Sequence, residues 1–234
     1  MPKRRVSRKN IKETDEHVSS SGSLVEYVMK NYRNIIPVGI VVVFIAIVTI
    51  TWIYYGKGRE KKASYLFSQS KQLYQSSMTS QTADKPVEER YQVALEKFED
   101  ITKRYSGTSS ALESLLYIGD CYYHLKKYDP AIDYYTQFIN KSKKDSYLRS
   151  FAFEGLGYCY EGKGDYEQAL SYFKKSVNEG TKHVNDLTYL NIARCYGALN
   201  DKANALEYYK KFADEQDNSI FSKLAQDKIE LLEN

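Results

Sequence analysis

The chain has 234 residues, room for one domain of ordinary size with an appendage, and its sparse Pro (4) and Gly (12) beside 23 Tyr favour packed helices over disorder or a turn-rich β fold. The formal charge of +4 is unevenly placed, because residues 1–56 hold 8 basic and 4 acidic groups and residues 57–234 hold 26 of each. A neutral body lacks the concentrated positive charge that displaces counterions from phosphates, so nucleic acid is set aside as a partner.

Residues 1–33 read as a basic polar tail. Lys3, Arg4, Arg5, Arg8, Lys9 and Lys12 precede the polar stretch Thr14 to Ser23, expected to be a flexible linker. Ser23 and Glu26 have capping-box spacing ahead of a short juxtamembrane helix with Leu24, Val28 and Tyr32 on one side, or of an extension of the next helix. Residues 34–56 carry no charge, and Ile35 to Tyr55 is almost wholly apolar. At helical rise that stretch covers about 32 Å against a hydrocarbon core of about 30 Å, so a transmembrane anchor is expected. Pro37 is placed in its first turn, and Trp52, Tyr54 and Tyr55 lie at its far end, where amphipathic rings suit the interface. The apolar part exceeds that of a signal peptide and runs into GKGREKK rather than a small-x-small site, which predicts an uncleaved anchor. Charge leaves the orientation nearly balanced, with Lys30 and Arg33 on one flank and Lys57, Arg59, Lys61 and Lys62 on the other. The short basic tail before a first apolar span favours an N-terminus in the cytoplasm.

Beyond the span, three segments align without gaps, beginning at Leu112, Ser150 and Asp186, with periods of 38 and 36 residues. Small residues recur at Gly119, Gly157 and Ala193, then 12 residues on at Ala131, Ala169 and Ala205. Aromatics recur at Tyr122, Tyr160 and Tyr196, then at Tyr135, Phe173 and Tyr209. A fourth, degenerate copy precedes them, with Ala94 and Phe98 in register on a second helix over Tyr91 to Tyr105. Its first helix is predicted over Ala63 to Ser77, before a polar linker around Thr79 to Pro86. Caps are expected at Ser110 with Glu113, at Asp129 before Pro130, and at Asp165 with Gln168. Residues 219–232 read as a terminal helix, with Phe221, Leu224, Ala225, Ile229 and Leu232 covering the last open face.

These small and aromatic positions resemble the tetratricopeptide repeat family, in which a small pair lets two antiparallel helices approach. The resemblance implies an all-α helical-hairpin solenoid, with repeats at 60–106, 112–145, 150–183 and 186–217; with the apolar run before it, the chain is expected to be such a solenoid preceded by a single N-terminal transmembrane helix. Cys121, Cys159 and Cys195 fall at one equivalent site of successive repeats and read as packing residues, neither disulfide nor metal ligands. His17, His124 and His183 show no ligand spacing, and no phosphate-binding loop is present. No catalytic residue, metal or cofactor is therefore expected, and the chain is read as a non-enzyme.

In tetratricopeptide solenoids the first helices line a concave groove for partner segments. Carried over, this implicates Glu113, Leu116, Tyr117, Asp120, Tyr123 and His124, then Phe151, Glu154, Tyr158 and Glu161, then Leu187, Leu190, Asn191 and Arg194. The mixture suits a peptide or flexible protein segment. Leu116, Asp120, Glu154 and Tyr158 depart from the basic clamp that holds acidic chaperone tails. The overall layout also resembles bacterial YfgM-like ancillary subunits of the Sec translocon. That resemblance implies a single-pass protein of the bacterial inner membrane with a periplasmic solenoid assisting export or folding, its partners being the translocon, exported clients or chaperones. The stretch Arg104 to Ser110 is similar to linkers in envelope-assembly and cell-division tetratricopeptide proteins, an alternative scaffold reading; a cytosol-facing membrane receptor is a further alternative.

Overall fold

The computed structural model describes residues 8–79, 86–144, 146–179, 185–215 and 220–233, and those residues divide into two units, Met1–Lys57 and Gly58–Asn234. Lys3, Arg4, Arg5, the side chains of His17, Ser23, Leu24 and Val28, most of the polar linker after Thr79, His183 and Ser219 lie outside the described residues.

In the first unit, helix α1 (Arg8–Thr79) already covers the stretch expected to be a linker. Because α1 is already helical from Arg8, Ser23 and Glu26 start no helix; the helical dihedrals break at Asn31 (φ −115°, ψ 15°), and Pro37 lies beyond the first turn after the break. From Ile36 to Tyr55 the large apolar side chains are uncovered, with Val48 50% and Trp52 76% exposed. Met29–Met78 is the one described helix long and apolar enough to cross a membrane. Within it the hydroxyls of Thr49 and Thr51 donate to the carbonyls of Ala46 (2.9 Å) and Ile47 (2.8 Å), so these side chains ask nothing of an apolar surrounding.

The second unit contains the end of α1 and eight further helices among the described residues: α2 (Val87–Arg104), α3 (Ser109–His124), α4 (Tyr128–Lys141), α5 (Leu148–Gly162), α6 (Tyr166–Glu179), α7 (Asn185–Ala198), α8 (Lys202–Glu215) and α9 (Ile220–Glu233). Each packs on its neighbours in sequence from α2 to α9, and α3 also reaches α5, the pattern of stacked antiparallel hairpins. Small residues sit at the crossings as predicted. Ala131, Ala169, Ala193 and Ala205 are fully buried. A Cβ on Gly157 would stand 2.6 Å from Phe173 Cδ1, and one on Gly119 2.7 Å from Tyr135 Cε1. Gly155 presses the same Tyr135 ring, so one aromatic is held between glycines of two successive hairpins.

The three cysteines are fully buried, and burial pushes the thiols up, to about 12 at Cys159 and Cys195. They fill space, as their equivalent positions imply. Tyr122 and Tyr160 stack on a tyrosine of their own hairpin's second helix, Tyr134 (5.6 Å between centroids) and Tyr172 (5.3 Å), and Tyr196 packs tilted against Tyr208 (5.7 Å). The hairpin turns are also copies of one another. Lys126 (φ 57°), Gly164 (φ 79°) and Asn200 (φ 61°) occupy the left-handed region at equivalent positions. The following amides donate to the carbonyls of Tyr122, Tyr160 and Tyr196, each at 2.9 Å, closing the last helical turn.

Two predicted caps are corrected. The α3 cap is Thr108, whose hydroxyl accepts from the Ala111 amide at 3.1 Å, because Ser110 already lies inside the helix. Asp129 also lies inside its helix and pairs with Lys163 at 2.5 Å, leaving α4 without a side-chain cap. Asp165 does cap α6, accepting from the Gln168 amide at 3.1 Å. Glu60 takes over at α3: its carboxylate accepts from the Ser109 amide (2.8 Å), the Ser110 amide (3.2 Å) and the Ser110 hydroxyl (2.9 Å). Arg59 donates to the carbonyls of Arg104 (3.1 Å) and Ser106 (3.2 Å) at the end of α2. The terminal helix differs from expectation as well. Ser222 and Ala225 are buried and Ile229 and Leu232 pack inward, whereas Phe221 (48%) and Leu224 (46%) are exposed on another stripe with Leu231 (70%).

Candidate partner-binding cleft

The first-helix stripes of α3 and α5, together with the end of α1, border an open cleft of about 510 Å³. Of the residues carried over from the repeat pattern, Leu116, Tyr117, Asp120, Tyr123 and His124 of α3 and Phe151, Glu154 and Tyr158 of α5 line it. Sequence reading missed Tyr74, Met78, Tyr135, Leu148 and Gly155, which complete the lining. Tyr74 and Met78 sit on a first helix that carries no small-residue mark, and Tyr135 belongs to a second helix yet aims its hydroxyl inward.

Helix period explains the convergence. Residues 116, 117, 120, 123 and 124 recur at three- and four-residue spacing and hence share one face, as do 151, 154, 155 and 158. The three cysteines and the alanines at the crossings lie in the core. Rings stiffen the floor: Tyr117 stacks on Phe98 (5.1 Å, 17°), and His124 stacks on Tyr91 (4.4 Å, 7°). Burial lowers the His124 pKa, so its imidazole is neutral at pH 7.

Two carboxylates face this aromatic surface. Asp120 accepts from Tyr135 Oη at 2.6 Å, and desolvation pushes its pKa up to about 6, opposed by its hydrogen bonds to Tyr135 and Tyr74. Glu154 is raised by desolvation too, although Thr188 Oγ1 (3.2 Å), Asn191 Nδ2 (3.3 Å) and Tyr158 Oη (3.3 Å) donate to its Oε1. Asp120 is therefore oriented by tyrosines, and Glu154 by Tyr158, Thr188 and Asn191, neither by a counter-ion. No Lys or Arg lines the cleft among the described residues.

The remaining six candidates lie elsewhere. Glu113 is part-buried, raised by desolvation, and faces Lys71 and Glu60. Glu161 and Arg194 form a two-point ion pair (2.5 and 2.7 Å) that ties α5 to α7. Asn191 is buried and donates to Tyr158 Oη at 2.7 Å, which makes it a support of the cleft wall rather than its surface. Leu190 and Arg194 border a second cavity of about 490 Å³ with Leu224, Lys228 and Leu231 of α9. Leu187 is 48% exposed and lines neither. No cluster of His, Cys, Asp and Glu able to hold a metal occurs among the described residues.

The comparisons agree with this architecture. A structure of putative kinesin light chain TPR-like repeats from Podosopora anserina matches with a TM-score of 0.58 at 15% identity, covering 73% of this chain and 86% of that one. A MamA structure matches with a TM-score of 0.52 at 15% identity, covering 74% and 80%. The Pseudomonas aeruginosa PilF structure gives 0.50 at 18% identity, covering 75% and 90%. These likenesses concern the fold alone. No curated protein sequence matches this chain. The family model of the tetratricopeptide repeat-like domain matches residues 28–233, nearly the whole chain. The chain belongs to the tetratricopeptide repeat-like domain family, whose helical scaffolds serve as protein-interaction modules.

Proposed function

We propose that this chain is a membrane-anchored module that holds an extended segment of a partner protein in the cleft between α3 and α5. The observation that carries the reading is the gathering of eight repeat-face residues around one open cavity of about 510 Å³ that no side chain of the described residues fills. Phe151, 40% exposed at the rim, and the uncovered faces of Tyr123 and Tyr158 offer rigid aromatic contact area, the kind of surface that dominates binding energy. Photocrosslinking in cells from Tyr123 and Tyr158, with exposed Gln137 on α4 as control, tests it. Protein adducts from the first two positions and none from the third are expected; equal yields from all three would remove the cleft as the partner site.

The uncovered apolar stretch Ile36 to Tyr55 supports anchoring in a bilayer, and the basic tail before it supports a cytoplasmic N-terminus with the solenoid outside. The layout resemblance to ancillary Sec subunits supports a position beside the translocon in the bacterial inner membrane, acting on exported clients. Arg59, whose charge counts against this orientation, is engaged by carbonyls at the end of α2. Because Cys121, Cys159 and Cys195 are fully buried, a Lys223→Cys variant reports topology with little background. Labelling by an impermeant thiol reagent on protoplasts is expected, and protection would reverse the orientation.

A further inference from the structure

The cleft between α3 and α5 is mostly aromatic, and ring area alone does not choose between an apolar, an acidic and a basic occupant. Its charges do. Asp120 and Glu154 enter from neighbouring hairpins, and the negative charge of Glu154 helps to raise the Asp120 pKa. The titratable groups facing them are Tyr74 of α1, Tyr135 of α4, and Tyr117, Tyr123, His124 and Tyr158 on their own helices. None of these supplies a positive charge at pH 7: a tyrosine is never cationic, burial keeps the shifted ones neutral, and burial also lowers His124. The nearby cations do not line the cleft and are already engaged: Lys71 lies 5.9 Å from the Tyr117 ring beside Glu113, and Arg194 is held by Glu161.

An apolar plug in this cavity would strip the remaining water from two carboxylates without replacing it, and a carboxylate ligand would add a third negative charge. A cation answers both problems. Ammonium or guanidinium groups pair with carboxylates and are attracted to the faces of tyrosine rings, most strongly where water is excluded. From this charge complementarity we infer that the cleft receives a lysine or arginine side chain from an extended basic segment of the partner protein, with Asp120 and Glu154 as its counter-ions and Tyr117, Tyr123 and Tyr158 as its walls. This rests on the reading of the cleft as the partner site and adds the partner's chemistry. It also gives a reason for Asp120 to carry a burial-raised pKa in a structure where Asn would accept the same Tyr135 hydrogen bond.

The test uses the full chain in detergent micelles and three fluorescein-labelled 12-residue peptides of one Gly/Ser/Leu sequence, differing at a single central position that is Lys, norleucine or Glu. Norleucine keeps the aliphatic stem and removes the charge. Fluorescence anisotropy is expected to show the Lys peptide binding at least tenfold tighter than norleucine and the Glu peptide weakest. Asp120→Asn and Glu154→Gln, checked for folding by circular dichroism, are each expected to weaken the Lys peptide about fivefold and to leave or strengthen norleucine binding. Equal or tighter binding of norleucine, no binding of any peptide, or indifference of the Lys peptide to both variants overturns the inference. The in-cell crosslinks separate the two levels: adducts from Tyr123 and Tyr158 on segments not enriched in Lys or Arg refute the basic segment and leave the cleft reading standing, whereas absence of cleft-specific adducts refutes that reading itself.

Discussion

Gly157 and Gly197 lie on equivalent first helices, and the same substitution is expected to act on them with opposite sign. Alanine in a helix interior gains about 0.5–1 kcal/mol over glycine by reducing the freedom of the unfolded chain. At Gly197 the added methyl meets nothing within 4 Å, so the gain is kept. At Gly157 it would stand 2.6 Å from Phe173 Cδ1 and 2.9 Å from Cζ, about 1 Å inside ordinary carbon contact. Phe173 is fully buried and cannot swing into solvent, so the helices must part; overpacking of this kind costs about 1–3 kcal/mol. Gly157→Ala should therefore lose about 1–2 kcal/mol net, and Gly197→Ala should gain about 0.5–1. Urea unfolding followed by far-ultraviolet circular dichroism measures both, with thermal midpoints shifting by about 2–4 °C per kcal/mol in a chain of this size. Equal stability changes for the two variants would refute the assignment of Gly157 to a closed helix crossing.

Lys126 takes at φ 57° the conformation that Gly164 takes at the equivalent turn, so Lys126→Gly should raise stability by about 1 kcal/mol, read as a higher urea midpoint at unchanged slope. Glu60→Ala leaves two amides and a hydroxyl at the start of α3 without their acceptor and should cost about 1–2 kcal/mol; Glu60→Gln, which keeps the acceptor without the charge, should cost less, and amide hydrogen exchange at Ser109 and Ser110 localises the effect. For Asp120 the folded pKa of about 6 lies above the ordinary 3.8, so the folded state binds more protons between those values and stability falls as pH rises through that window. The penalty at neutral pH is about 1–3 kcal/mol at most. Asp120→Asn should remove it, making the variant's stability at pH 7.5 equal to or above that of the parent while its advantage vanishes near pH 4; paired urea titrations at the two pH values check this, and parallel curves would contradict it.

Most of the scaffold is legible in the sequence because it is encoded several times over. Gly119, Gly157 and Ala193 repeat at nearly constant period, and Ala131, Ala169 and Ala205 follow each by 12 residues, so the register survives loops of varying length. The same redundancy reveals the cleft's two long walls, since a face at three- and four-residue spacing is fixed once the small position is known. What escaped is of a different kind. Glu60 reaches Ser109 across 49 residues of sequence, and no local pattern announces a helix cap supplied by another helix. Lys126 gives no hint that its turn copies the one at Gly164 until the two are superposed by repeat register. Tyr135 reads as a core aromatic, which it is; only its hydroxyl, 2.6 Å from Asp120, carries it into the cleft.

That contrast separates the two kinds of residue in this chain. The positions that repeat, small residues, cysteines and stacked tyrosines, build the scaffold, and a function read from them is the family's. The positions that break the repeat are where this chain differs from a generic solenoid. Asp120 is followed at equivalent sites by Tyr158 and Arg194, and Glu154 by Asn191 at a neighbouring register, so acid, ring and base succeed one another along the first helices. The structure pairs the base with Glu161 and leaves the acids facing the open cavity. A solenoid whose only concern were stability would gain by neutral groups at Asp120 and Glu154, since tyrosine, threonine and asparagine partners are already in place for them. Retained charge at a stability cost, in an open cleft lined by first-helix residues, is the physical ground for placing the partner there.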